Sequence, residues 1–334
     1  MSRIQEELEA FLARRGDRLL SLRRLAGGAS QEAWIVHVAG GGAAGERDLV
    51  LRRDMGGMLS SSARTRAEEF AILQAAHRAG VPVPRVVYEP FVLEGREAFL
   101  MEHLTGETIG RRLVRDDAHA QARERLPEQV ADALVRIHRV ETSQLPFLLP
   151  PRTPLDSIEA LERDLDACGE GHPALELGLR WLRLNAPPLE RATLVHGDFR
   201  VGNFVVGPEG LRGVLDWELA HVGDPDEDLG WFCVRAWRFG RDDRPAGGIT
   251  TRERLVAAYR AAGGGEVTTE RLRYWELFGN VKWGIGALSQ AARHLRGEEP
   301  SVELAVLGRL AAEMELETLT LLGEAEEALA EARP

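Results

Sequence analysis

Val195-His196-Gly197-Asp198-Phe199-Arg200-Val201-Gly202-Asn203, with Gly213-Val214-Leu215-Asp216-Trp217-Glu218 a short way behind it, is the stretch on which the reading of this chain turns. An Asp and an Asn five positions apart, and a second Asp after an apolar run, supply a carboxylate that can accept a proton and hard oxygen ligands suited to magnesium. Val205-Val206 and Gly213 to Asp216 read as short strands. A hairpin between Phe204 and Leu215 returns the chain and brings Asp216 back to Asp198 and Asn203. Asp and Asn are also ordinary turn residues, and three fixed positions match by chance about once in 10⁴ positions. The rest of the chain therefore has to carry part of the argument.

Upstream, Ile4, Leu8, Phe11 and Leu12 share one face of an opening amphipathic helix. β-like runs follow at Leu19 to Leu25, Ala33 to Val38 and Asp48 to Arg53, the first two joined by Gly27-Gly28-Ala29-Ser30-Gln31, which together predict an antiparallel meander. A helix over 62–79 stops at Gly80-Val81-Pro82-Val83-Pro84, and strands are expected at Arg85 to Tyr88 and Ala98 to His103. Beyond Thr105-Gly106 the pattern becomes helical, at about 124–140, 156–167, 174–184, 252–262, 269–296 and 301–331. The chain divides into a β-rich first part, 1–104, and a helical second part, 105–334.

A length of 334 residues calls for two lobes, and 44% hydrophobic with 28% charged residues is ordinary globular composition. The net charge of -11 argues against a nucleic-acid partner, whose phosphates need a basic face. Cys168 and Cys233 are too few for a disulfide framework or a zinc site. With no signal-peptide core and no run apolar enough to span a bilayer, the expectation is a cytoplasmic protein with no membrane partner. Oligomeric state is left open.

His196-Gly197-Asp198 through Asn203, with Asp216-Trp217-Glu218, resembles the signature of the aminoglycoside-phosphotransferase and choline-kinase superfamily. The likeness extends to Leu134-x-x-Ile137-His138 and Gly223-Asp224-Pro225-x-x-Asp228-Leu229. Within that group the chain looks similar to the kinase-like domain that some animal proteins carry fused to an acyl-CoA dehydrogenase. The resemblance implies an α+β, bilobal protein-kinase-like fold: a small antiparallel β-sheet N-lobe, a larger, mostly helical C-lobe, and a nucleotide in the cleft. It implies an ATP- and Mg2+-dependent kinase, with GTP as the alternative donor, that phosphorylates a hydroxyl group of a small-molecule acceptor.

Carried over by residue, the resemblance makes Asp198 the base, Asn203 and Asp216 the magnesium ligands, and His196 a residue that holds the loop. A metal-ligand role for His196 is the alternative, against the preference of magnesium for oxygen. Asp224 and Asp228 would bond the catalytic loop or cap the next helix. Gly28 and Ser30 would cover the phosphates. Where the superfamily usually has Lys, the third strand has Arg52, a charge-preserving departure that leaves phosphate geometry open. Arg53 competes with it, although alternation puts Arg52 and Val50 on one face. The partner acid would be Glu69, or else Glu68. Backbone groups near Glu102 and Leu104, in Phe99 to Gly106, would meet adenine.

For the acceptor, the candidates are Trp231, Trp237, Tyr259, Tyr274, Trp275, Lys282 and Trp283. Glu218 and Glu276 suit a cationic acceptor, while Lys282, Arg235 and Arg238 suit an anionic one. Arg241 and Arg244 add to the basic segment after the metal-ligand Asp. A hydroxyacyl-CoA-type acceptor is put ahead of an aminoglycoside. Two other readings stand beside this: a pseudokinase-like nucleotide-binding regulatory module, and a true aminoglycoside kinase.

Overall fold

The computed structural model describes residues 3–25, 31–40, 45–54 and 64–331. Its first part is an antiparallel sheet of β1 (Asp17–Arg24), β2 (Gln31–Gly40), β3 (Glu46–Asp54), β4 (Phe91–Leu93) and β5 (Arg96–Glu102), in the order β1-β2-β3-β5-β4. Apolar residues occupy both faces. Trp34, Val36, Val38, Leu49, Leu51 and Leu100 pack with Leu8, Phe11 and Leu12 of α1 (Arg3–Ala13). Ile35, Val50, Phe99 and Met101 instead meet Phe70 and Leu73 of α2 (Arg66–Arg78). The register sets Trp34 opposite Leu51 and Ile35 opposite Val50, so a one-residue slip would turn each of these side chains to the wrong face.

The strand expected at Arg85 to Tyr88 is corrected to a single bridge between Val86 and Met101. Pro84 and Pro90, which have no N–H to donate, confine the pairing. The sheet instead gains β4, joined to β5 through Glu94 (φ 48) and Gly95 (φ 74), the two positive-φ residues of a tight hairpin turn.

The second part is mostly helical: α3 (Gly110–Arg115), α4 (Ala120–Ile137), α5 (Pro154–Asp166), α6 (Pro173–Leu184), α7 (Asp226–Phe232), α8 (Arg252–Ala261), α9 (Thr269–Leu295), α10 (Val302–Leu307) and α11 (Leu310–Glu331). Leu126, Val130, Leu134 and Ile137 form the buried stripe of α4 and pack in one core with Phe199, Phe204, Trp217 and Phe232. Two small antiparallel pairs interrupt the helices, β6 (Thr193–Val195) with β9 (His221–Gly223) and β7 (Phe204–Gly207) with β8 (Gly210–Val214). The second pair is the hairpin expected between Phe204 and Leu215.

The single helix expected over 301–331 is two, separated at Gly308, where a side chain would meet the Ala291 side chain of α9 at 2.8 Å. The helix expected after Asp224 had no bounds in the sequence reading, and it is α7. All seven of its residues are buried, Asp226, Glu227 and Asp228 included, so no polar stripe marks its period. Among the described residues, no helix is long and apolar enough to cross a membrane.

Candidate active site

β6 delivers the chain into the loop that carries His196, Asp198 and Asn203, and β8 delivers it to Asp216. Asp198 Oδ1 accepts from Trp231 Nε1 at 2.9 Å and from Arg200 Nε at 2.9 Å, while Asn203 Nδ2 donates to Asp198 Oδ2 at 2.7 Å and to the Asp198 carbonyl at 2.9 Å. Both carboxylate oxygens are thus held. The same bonds leave Oδ1 as the acceptor atom of the Asn203 amide.

His196 is fully buried and ties the two acid-bearing segments together. Its Nε2 donates to the Leu215 carbonyl at 3.0 Å, and its Nδ1 accepts from Asp198 N at 3.2 Å. Burial lowers its pKa, which keeps the ring neutral with the proton on Nε2. Both nitrogens are spent inside the loop, which leaves none to ligate a metal. Gly197 has φ +79, and a Cβ there would lie 2.5 Å from the Leu219 carbonyl oxygen, so the turn requires glycine.

Beneath the loop, Asp228 accepts from His196 N at 2.8 Å and Gly197 N at 3.0 Å. It also accepts from His138 Nε2 at 3.3 Å, and Tyr259 donates its hydroxyl to His138 Nδ1 at 2.7 Å. Burial pushes the Tyr259 hydroxyl up to about 12, which keeps it a donor. Asp224 accepts from Asp226 N and from Arg271. Burial and the neighbouring Asp226 raise its carboxyl to about 6.

Asp216 is held differently. It lies at φ 69, unusual for a residue with a side chain, and its carboxylate is 30% exposed. Arg52 Nη2 reaches it from the sheet at 3.0 Å, and Arg52 Nη1 lies 3.2 Å from Glu69 Oε1. Burial opposes charge on Arg52, yet Glu69 and Asp216 raise its pKa. Glu69 is fully buried and also takes Arg66.

Of the competing residues, Arg53 lies on the opposite face of the sheet, paired with Glu94 at 2.7 Å and Glu32 at 3.2 Å. Glu68 closes the capping box with Thr65. Glu102 donates its N–H to the Arg85 carbonyl at 2.8 Å, and its carboxylate pairs with Arg85. Leu104 packs over Gly213, where the chain leaves the sheet. Gly28 and Ser30 lie outside the described residues.

The acceptor candidates separate into two groups. Tyr274 and Trp275 belong to the core of α5, α6, α9 and α11, and Tyr259 serves His138. Glu276 is fully buried between Arg238 and Arg252, and burial raises its pKa despite them, so it offers nothing to a cationic acceptor. Arg238 is spent on Glu276 and Glu317, and Arg235 on Asp242, Glu313 and Glu317; Arg241 and Arg244 face Asp243. The basic segment is internally neutralised, not an open anion site. Trp231, Trp237 and Trp283 do gather next to Asp198, with successive ring centroids 5.5 and 4.9 Å apart. Arg200 lies over Trp237 and Lys282 over Trp231.

Sequence reasoning gave Arg200 no role and missed Trp231 as a donor to Asp198. The first is local, two positions from the acid. The second bridges 33 residues and has no sequence signal.

The oxygen set fits magnesium. One carboxylate and one amide oxygen suit an ion that keeps several waters and takes its remaining ligands from phosphates. No cluster of three or more His, Cys, Asp or Glu among the described residues forms an all-protein cage.

A family model described as the phosphotransferase enzyme family matches residues 21–275. Among curated proteins, acyl-CoA dehydrogenase family member 10 of Mus musculus is 30% identical over 247 residues, 69% of this chain and 22% of that protein. Acyl-CoA dehydrogenase family member 11 of Gallus gallus is 30% identical over 224 residues, 64% of this chain and 27% of that protein. The chain thus spans about a quarter of the length of these relatives. Among solved structures, a Ralstonia eutropha protein assigned as an aminoglycoside phosphotransferase superposes with a TM-score of 0.74 at 20% identity, covering 96% of this chain and 98% of that one. The GDP complex of aminoglycoside 2'-phosphotransferase-IIIa gives 0.64 at 15% identity, covering 95% and 98%.

Proposed function

Because the chain belongs to the phosphotransferase enzyme family, we propose that it moves the terminal phosphoryl group of ATP, or of GTP as the alternative donor, to a hydroxyl group of a small-molecule acceptor with magnesium. The observation that supports this reading is the link between the two acid-bearing segments: Leu215, which precedes Asp216, donates its N–H to the Asn203 carbonyl at 2.8 Å. Asp198 and Asn203 are hydrogen-bonded to each other, and Asp216 is joined by Arg52 to the sheet on the far side. In this reading Asp198 orients the acceptor hydroxyl and takes its proton as the oxygen attacks phosphorus. Asn203 and Asp216 would hold magnesium, whose charge would offset that of the phosphates when it is bound. Arg52, braced by Glu69, faces the phosphates from β3. His196 and Asp228 keep the loop rigid, so the carboxylate needs no reorganisation during transfer. The segment through Glu102 and Leu104 would line the adenine side, with 1–104 and 105–334 as the two lobes.

For the acceptor, we favour a hydroxyacyl-CoA-type or other anionic compound over an aminoglycoside. The relatives named above support this. A second reading, a nucleotide-binding regulatory module of pseudokinase type, is favoured by one observation: Arg52 stands in for lysine and pairs directly with Asp216.

The test is a mass-spectrometric screen of hydroxyacyl-CoA, sugar, amino-alcohol and aminoglycoside compounds with ATP and magnesium. A product one phosphate heavier, formed only with magnesium, is expected. Nucleotide binding without any turnover would support the regulatory module instead.

A further inference from the structure

Lys282 is the single lysine of the chain; of its 42 Lys and Arg residues the other 41 are arginine. Even the strand position that faces Asp216 carries Arg52. A chain that uses arginine at every other cationic position has kept one ammonium, and the structure puts it against the catalytic loop. Lys282 Nζ, on α9, donates to the Gly197 carbonyl at 3.2 Å and to Glu227 Oε1 at 3.3 Å, and lies 4.5 Å from the Trp231 ring centroid. Gly197 precedes Asp198 in the chain, and Trp231 Nε1 donates to Asp198 Oδ1 at 2.9 Å.

A static pair with Glu227 does not account for lysine here. The planar guanidinium, with five donors, is the better partner for a buried carboxylate, and arginine fills that role at Glu69, Asp224 and Glu276. What an ammonium offers is compactness. It fits a notch bounded by a carbonyl, a carboxylate and an indole face, where a bulkier fork would displace the loop or the ring. Its attraction to the indole face and its bond to Gly197 act on the two neighbours that flank Asp198.

We propose that Lys282 is a positioning residue for phosphoryl transfer: its ammonium fixes the Gly197 carbonyl and the Trp231 indole together, and through them the carboxylate of Asp198. The inference rests on the phosphotransferase reading and adds to it a helix, α9, that governs the base without touching substrate. Lysine is required at this position, and arginine does not replace it.

The test uses the full chain and magnesium-ATP hydrolysis, with water as acceptor, so that no identified metabolite is needed. Lys282→Met, Lys282→Arg and Trp231→Phe are each expected to lower turnover about tenfold with the Michaelis constant for ATP nearly unchanged, and only Lys282→Met, which takes the ammonium from the buried Glu227 carboxylate, should also lower the melting temperature. The double variant Lys282→Met/Trp231→Phe should be no slower than the slower single variant, because both changes cut one connection. Wild-type turnover in Lys282→Arg, or losses that multiply in the double variant, would overturn the proposal. A wild type that does not hydrolyse ATP leaves the phosphotransferase reading to the acceptor screen above. In that case the packing is still read directly, because protein grown with lysine labelled at Cε gives one side-chain carbon signal. That signal is expected upfield from the indole ring current and at the position of a free lysine in Trp231→Leu; an unshifted wild-type signal refutes the arrangement.

Discussion

Asp198 accepts hydrogen bonds from Trp231, Arg200 and Asn203, all supplied by the helical lobe, in a loop that Asp228 and His196 hold from beneath. Asp216 has a positive φ, is partly open to solvent, and takes its guanidinium from the other lobe. The two carboxylates are thus prepared to different degrees. The first is fixed by three donors of its own lobe. The second is balanced by a charge that a bound cation would have to share, so its state should depend on how the lobes meet. Rigid preorganisation suits a group that must align an attacking oxygen, and an exchangeable partner suits a group that must admit a metal.

The sharpest way to break this contrast is Asp198→Asn. Turnover should fall about 10²-fold or more, with nucleotide affinity kept, because the variant loses a proton acceptor but leaves the nucleotide's neighbours alone. Near-normal turnover on a working acceptor would mean that the preorganised carboxylate is not the base. Next in size is Asp216→Ala. It should remove most of the magnesium-dependent part of ATP affinity, at least about tenfold, with only a small drop in melting temperature, since the side chain is partly exposed and alanine tolerates the positive φ somewhat less well than aspartate. Calorimetry with and without magnesium reads this directly, and undiminished coupling would move the metal elsewhere.

Arg52 distinguishes the two halves of the comparison more finely. Arg52→Ala should raise the Michaelis constant for ATP several-fold and lower turnover, while Arg52→Lys keeps appreciable activity, because charge at this point matters more than the fork. An Arg52→Ala enzyme that behaves like wild type would mean that Arg52 pairs with Asp216 without touching the phosphates. This prediction is opposite in kind to that for Lys282, where size is expected to matter as well as charge.

How much of this was legible in the sequence follows from the distance over which each feature acts. The Asp198 to Asn203 bond spans five residues and was readable as a spacing. Period-two alternation on β3 separated Arg52 from Arg53, because a strand determines facing locally. Asp228 was expected as a loop-holding acid through resemblance, and its carboxylate does reach the loop backbone. What could not be read is the network made between elements far apart in the chain: Trp231 to Asp198, Lys282 to Gly197, and Arg238 to Glu276 and Glu317. Arg235 and Arg238 looked like part of an anion site because Glu276, Glu313 and Glu317 lie on helices that reach them only in the folded chain, whereas Asp243, which faces Arg241 and Arg244, stands beside them in the sequence. The bounds of α7 could not be read because seven residues are under two turns and its acids and apolar residues fall in two blocks rather than at helical spacing.

The smallest expected effect concerns stability in the part of the molecule that stays fixed. Glu227 is buried between His221 Nε2 at 3.1 Å and Lys282 at 3.3 Å. Burial alone would raise its carboxyl, but the charges of His221 and Lys282 bring it down to about 2 from an ordinary value of 4.5. A carboxyl whose folded pKa lies below its unfolded one contributes stability that is complete above the unfolded value and disappears as pH falls through the folded one. The contribution of Glu227 should therefore be at full size above pH 4.5 and lost between there and about 2. Glu227→Gln retains the shape and removes the charge. Its melting temperature should lie a few degrees below wild type at neutral pH, consistent with about 1–2 kcal/mol in a chain of this size, and the gap should close as the pH is lowered. Paired thermal melts from pH 7 down to 3 follow the gap while the other carboxyls titrate equally in both proteins. A gap that does not change with pH would mean that Glu227 acts by packing, and that the charge on Lys282 is balanced by the Gly197 carbonyl and the indole face rather than by this carboxylate.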